Sequence, residues 1–305
     1  MKLFCDNLER LDMKTAYIID STASLPEAYQ DHPDVYQVYL SIHYANGDSL
    51  RDTTDPEALQ RFYEDLPKEE EIPTTSQPQP QQFYDIMDDL VAEGYEAVYG
   101  FFLSADLSGT YQTAYSVMHE YDDRLTVHVI DSKSISLAIE ALLDHTIRLQ
   151  EAGASEGEIL DHLEKMVDQT ALLCCFEDLS YLVKGGRAGN ASALIGKILN
   201  IFPVLEVHSK VEVFAKVRSR KRVYATIVDE IEKRIQDYPD GVERLIVLDA
   251  LNPEGVAALE QAFTAAYPHI RVEKTYLTPV IGIHAGRDAY GVIAVPNLPR
   301  RYQAN

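Results

Sequence analysis

The sequence predicts an α/β protein of two domains: an N-terminal, mostly parallel sheet with flanking helices, then a C-terminal α/β domain with a mixed sheet. Three observations lead there. Through the first half, short apolar runs alternate with segments of helical period, the pattern of strands joined by crossover helices. Past about residue 165, hairpin signals mixed with helices replace that alternation. The length of 305 residues suits two cores, and 46% hydrophobic content is ordinary for a folded chain.

In the N-terminal domain, residues 13–165, strands are expected at 16–20, 35–44, 97–103 and 125–131. Asp55-Pro56-Glu57 opens one helix with a cap and a proline at its first position, and Gln79 to Gly94 makes another that ends on glycine. Further helices are expected from Thr110 to about Tyr121, from Ile135 to Gly153, and over 155–170. Thr74-Thr75-Ser76-Gln77-Pro78 reads as a rigid loop, because the residue before a proline is pushed to extended geometry and a Pro-Gln-Pro run follows. In the C-terminal domain, residues 166–305, Pro203 to Val217 reads as a hairpin turning at Ser209-Lys210. Lys221–Tyr238 and Pro253–Tyr267 read as helices, and Arg244–Ala250, Arg271–Tyr276, Pro279–His284 and Tyr290–Val295 as strands. Residues 1–12 carry mixed charge and little periodicity and are read as an N-terminal extension without assigned function.

A formal charge of -22 opposes a nucleic-acid partner, since such binding needs Lys and Arg to neutralise phosphates. One exception stands out: Arg218-Ser219-Arg220-Lys221-Arg222, either the solvated start of a helix or an interaction patch. No run approaches the roughly 20 apolar residues of a membrane span, and the N-terminus lacks an apolar signal core, so a cytoplasmic protein without stable membrane anchoring is expected. Cys174 and Cys175 are adjacent in an apolar run, where neighbouring strand side chains point to opposite faces; with Cys5 the only other thiol, no structural disulfide is expected. No metal or cofactor signature is present.

The chemistry-bearing motifs are hydroxyl-rich turns. Asp20-Ser21-Thr22, the Ser104 to Thr110 turn and Asp131-Ser132 each end a strand, and ligands of open α/β sheets bind outside the carboxyl ends of strands. Taken singly, Ser, Thr and Asp at such points are also what helix caps require. With Thr75-Ser76, Gly185-Gly186-Arg187 and His284-Ala285-Gly286 they suggest a site for one small anion, held by neutral hydroxyls and a histidine.

The ordered set Asp20-Ser21-Thr22-Ala23, Thr75-Ser76-Gln77-Pro78, Leu107-Ser108-Gly109-Thr110-Tyr111, Asp131-Ser132, Gly185-Gly186-Arg187, Arg218-Ser219-Arg220 and His284-Ala285-Gly286 resembles the DegV family of fatty-acid-binding proteins. The match spans nearly the whole chain after the first dozen residues. The resemblance implies a lipid carrier rather than an enzyme. It would have no catalytic residues of its own and would hold one long-chain fatty acid between its domains for a separate fatty acid kinase subunit that makes the acyl-phosphate. By the same resemblance Thr75, Ser76, Ser104, Ser108, Gly109, Arg187, His284 and Gly286 would lie at the fatty acid, and Arg218 and Arg220 would meet the kinase or a phosphate.

The chain departs from the family where Arg287-Asp288 follows Gly286 in place of Pro-Gly, where Ala105 replaces a second serine, and where Ala138 and Glu140 replace glycines. Glu140 is therefore expected to affect the length of chain the pocket takes or its shape, and Arg287 either to add a charged donor near the carboxylate or, the preferred reading, to pair with Asp288. A rival reading is a hydrolase or acyltransferase with Ser104 or Ser108 as nucleophile, His284 as base and Asp20 or Asp131 as orienter, although no Gly-x-Ser-x-Gly elbow is present. A sugar- or triose-phosphate-binding module on a related α/β scaffold is a third.

Overall fold

The computed structural model describes residues 13–194 and 201–303. The expected N-terminal extension and Cys5 lie outside the described residues. In chain order the first half contains β1 (Thr15–Asp20), α1 (Glu27–Gln30), β2 (Val35–Val38), β3 (Ser41–His43), β4 (Ser49–Arg51), α2 (Pro56–Asp65), β5 (Thr74–Ser76), α3 (Pro80–Ala92), β6 (Ala97–Phe102), α4 (Thr110–Met118), β7 (Thr126–Asp131), α5 (Leu137–Glu151) and α6 (Glu156–Gln169). There follow β8 (Ala171–Cys175), α7 (Ser180–Lys184), β9 (Phe202–His208), β10 (Lys210–Val217), α8 (Arg220–Ile235), β11 (Val242–Asp249), α9 (Pro253–Ala266), β12 (Arg271–Tyr276), α10 (Pro279–Ala285) and β13 (Tyr290–Pro296).

Strands β2-β1-β6-β7 form a parallel sheet, and β10-β9-β8-β13-β11-β12 form a mixed sheet in which only the β11–β12 pair is parallel. The strand order of the first sheet reverses between β1 and β6, which opens a crevice at their carboxyl ends. The central strands β1, β6, β8 and β13 are buried on both faces, as their near-continuous apolar runs require. Ala16 and Ile18 of β1 pack against α3 and α4, while Tyr17 and Ile19 face the core shared with the second sheet. On the far side, Leu173, Val247 and Val292 pack against α8 and α9. Helix α5 lies between the sheets, touching β1, β6 and β13, and is buried on nearly all sides. Cys174 and Cys175 are free and buried, and they fall in different cores, as alternation along a strand requires.

Three expectations are corrected. The strand expected at 35–44 breaks after Val38, and Ser41–His43 leaves to form a small antiparallel sheet, ordered β4-β3-β5. Thr74–Ser76 is not a loop but its third strand: the extended geometry that Pro78 favours is the geometry a strand uses. Pro279–His284 is helical. Thr278 precedes it in extended conformation, Pro279 takes the first helical position, and burial of every residue but His284 removes the polar face that would have marked its period.

Candidate functional site

A cavity of about 300 Å³ lies between the two sheets at the β1–β6 end, walled by both halves of the chain. Leu103, Leu107, Ile135, Phe176, Leu182, Val207, Val211, Val280 and Ile281 give it apolar walls, and no carboxylate lines it among the described residues. Its polar groups come from segments far apart in the sequence. The Thr75 hydroxyl and His284 Nε2 are 2.9 Å apart, joining β5 to α10. Gln77 follows on the same segment and closes on Gly109, where a Cβ would meet its Oε1. Ser108 lies next to Gly109, its hydroxyl 2.9 Å from that of Thr110 at the start of α4. Arg187 donates from Nε to the Leu107 carbonyl at 2.9 Å and from Nη1 to the Gly185 carbonyl at 2.6 Å, and no carboxylate pairs with it among the described residues.

His284 is neutral over the ordinary pH range. Burial, with Arg187 adding to it, pushes its pKa from 6.5 down to about 4. A depressed histidine contributes stability present above pH 6.5 and lost as pH falls through about 4. Its Nδ1 is buried without a partner and faces Gly185, where a Cβ would come within 2.2 Å. The helix that carries it is held by Asp52, whose carboxylate accepts from the Val280 amide at 3.0 Å and from the Ser21 hydroxyl at 2.9 Å; burial pushes Asp52 up to about 6. Asp52 went unread in the sequence, since nothing local marks a carboxylate that caps a helix 228 residues away.

A family model described as "Uncharacterised protein, DegV family" matches residues 14–297. The chain belongs to the DegV family. The DegV protein of Bacillus subtilis is 31% identical over 287 residues, covering 92% of this chain and 98% of its own length. A fatty acid binding DegV family protein from Streptococcus agalactiae superposes with a TM-score of 0.85 at 27% identity, covering 94% of this chain and 100% of its own. One from Thermus thermophilus, also described by its fatty acid binding, superposes at 0.84 with 27% identity and 93% and 100% coverage.

Within this DegV fold the cavity gathers Thr75, Ser76, Ser108, Gly109, Arg187 and His284. Ser104 and Gly286 are not in its lining. The Ser104 hydroxyl donates instead to the Ser209 carbonyl at the tip of the β9–β10 hairpin, at 2.5 Å. Gly286 ends α10 at φ 77°, where a side chain would be strained and would meet the Tyr181 ring at 2.7 Å. Arg218 and Arg220 stand exposed around the start of α8, and Arg220 is held by Glu177 through two 3.0 Å bonds. Glu140, expected to affect the pocket, lies outside the lining and is buried against Arg244 with Oε2 to Nη2 at 2.5 Å. Arg287 reaches Asp288 at 3.7 Å.

The geometry of the rival hydrolase is not assembled among the described residues. His284 Nε2 bonds Thr75 rather than a serine. Asp20 is occupied by the Thr22 and Leu103 amides, and Asp131 by those of Ala105 and Lys133. One group of metal-ligand type, Asp144, His145 and Glu243, comes together outside the cavity. Its donors are already matched: Arg148 bridges the two carboxylates, and the His145 ring nitrogens bond Glu243 and His162. Residues not assigned from sequence are Gln77 and the apolar wall. Val207 and Val211 had a legible signal in their alternation on either side of the Ser209-Lys210 turn.

Proposed function

We propose that this chain binds one long-chain fatty acid between lobes formed by residues 13–165 and 166–305, and presents its carboxylate to a separate fatty acid kinase. The observation that carries the reading is an apolar-walled cavity closed by neutral hydroxyls, a neutral histidine and an arginine that lacks an acidic partner among the described residues. Such a site favours an anionic head on an apolar tail. Hydrogen bonds to an ionised group are worth about 1.5–3 kcal/mol each and orient the head. About 14 methylenes at about 0.8 kcal/mol each give roughly 11 kcal/mol before ordering costs, so the tail supplies the affinity. The fatty acid binding described for the Streptococcus and Thermus proteins supports the same ligand class. In this reading the protein has no catalytic residues, no metal and no cofactor, works in the cytoplasm, and leaves phosphoryl transfer to its partner. Among the described residues no helix is long and apolar enough to cross a membrane.

Solvent extraction of the purified protein followed by mass spectrometry is the direct test: an intact fatty acid in stoichiometric yield supports the reading. Turnover of p-nitrophenyl esters with labelling of one serine would replace it by the hydrolase. Thr75→Ala and Ser108→Ala are each expected to lower retention about tenfold, the size of one lost bond to a charged group. Parent-like lipid occupancy in both variants would remove these residues from the head-group site. Arg220→Ala breaks the exposed pair with Glu177 and is expected to leave the extracted lipid unchanged while slowing acyl-phosphate formation by added kinase. Equal loss of both signals would assign Arg220 to folding instead.

A further inference from the structure

His43 lies on β3, directly opposite Ser49 of β4 and two pairs along from Ser76 of β5, so these side chains share a face of the small sheet. Its ring bridges the two serines: Nδ1 is 2.8 Å from Ser49 Oγ and Nε2 is 2.9 Å from Ser76 Oγ. Ser49 is exposed and Ser76 lines the cavity.

A neutral imidazole has one donor and one acceptor nitrogen, and its tautomer decides what Ser76 can offer. With the proton on Nδ1, the Ser76 hydroxyl donates to Nε2 and presents only lone pairs to the cavity, which repel an anion. With the proton on Nε2, His43 donates to Ser76 Oγ, the Ser49 hydroxyl donates to Nδ1, and the Ser76 hydrogen is left for an acceptor in the cavity. Ser49 accommodates either state because a hydroxyl both donates and accepts.

We propose that His43 is a positioning residue that holds the Ser76 hydroxyl as a hydrogen-bond donor to the bound carboxylate. The inference rests on the fatty acid reading given above, and it places a selectivity device one residue behind the ligand. A carboxylate gains from the relay, whereas a head group that can donate its own hydrogen does not.

The test measures binding of oleate and of oleyl alcohol to the parent, His43→Val, His43→Gln, Ser76→Ala and the double variant of His43→Val with Ser76→Ala. His43→Val is expected to weaken oleate about tenfold while leaving oleyl alcohol unchanged. His43→Gln, whose amide N–H still donates, is expected to restore oleate. In the Ser76→Ala background the His43→Val change is expected to add nothing, because the two residues act as one unit. Parent-like oleate binding by His43→Val, equal loss of oleate and alcohol, or full additivity with Ser76→Ala would each overturn the proposal. A parent that fails to bind oleate saturably would overturn the fatty acid reading itself, whereas a parent that binds beside an indifferent His43→Val overturns only the relay.

Discussion

Gly185→Ala is expected to strip the protein of copurifying fatty acid. Gly185 ends α7 at φ -70° and ψ -8°, an ordinary conformation for alanine, so backbone strain is not what changes. The change is one contact: the new methyl would sit 2.2 Å from His284 Nδ1 and 3.1 Å from the Tyr181 carbonyl. The ring must move, and with it goes the 2.9 Å bond to Thr75 that joins β5 to α10 across the cavity. Lipid recovered per protein should fall by at least about tenfold, from the lost bond to a charged head. Crowding of a packed interior should cost about 1–3 kcal/mol in thermal or urea unfolding. Adding His284→Ala to Gly185→Ala removes the clash, so the double variant should regain stability over Gly185→Ala without regaining ligand. A Gly185→Ala protein carrying the parent's lipid load would break the link between this glycine and the head-group site.

Arg244→Met should produce the largest loss of stability. Arg244 is buried between Glu140, at 2.5 Å, and Glu273, at 3.0 Å, and removing the cation strands Glu140 in the interior. Breaking a buried pair from one side costs about 3–5 kcal/mol, read here as the shift in urea unfolding at pH 7.5. Burial pushes the Glu140 carboxyl upward, and Arg244 pulls it back down. A carboxyl raised by folding contributes stability below its unfolded value of about 4.5 that is lost as pH rises through its folded value. With the opposing cation gone, the deficit of Arg244→Met should therefore be smaller at pH 5 than at pH 7.5. Replacing Glu140 by leucine together with Arg244→Met should recover most of it. A deficit that is constant across pH would show that lost packing, rather than the stranded carboxylate, is responsible.

The architecture was legible where period and burial agree. The β1 and β6 runs are apolar on both faces; the helix expected from Gln79 has Gln79 as its N-cap, and the hairpin tip expected at Ser209-Lys210 lies there. Period failed where burial was nearly complete: α10 has only His284 outside the buried set and so no polar face, and its seven residues read equally well as a strand. In the cavity, hydroxyl and glycine turns marked which segments converge, but not which side chain of a turn faces inward. Ser104 and Ser108 sit in one turn, yet only Ser108 reaches the lining, because the first is drawn away by the carbonyl of a hairpin more than 100 residues on. The Thr75–His284 contact spans 209 residues, and Glu140 finds Arg244 across 104. Pairings of that kind arise from how two sheets close on one another, which no local pattern encodes.

Helix α5 is shared property. Its side chains complete the inner core of the parallel sheet and that of the mixed sheet at once. The facing sides of the two sheets consequently have no separate interiors to fall back on, and melting either would expose the other. Cooperativity is thus built into α5, and Ile135, two residues before that helix, walls the cavity, so the cavity exists only while both sheets stay packed on it.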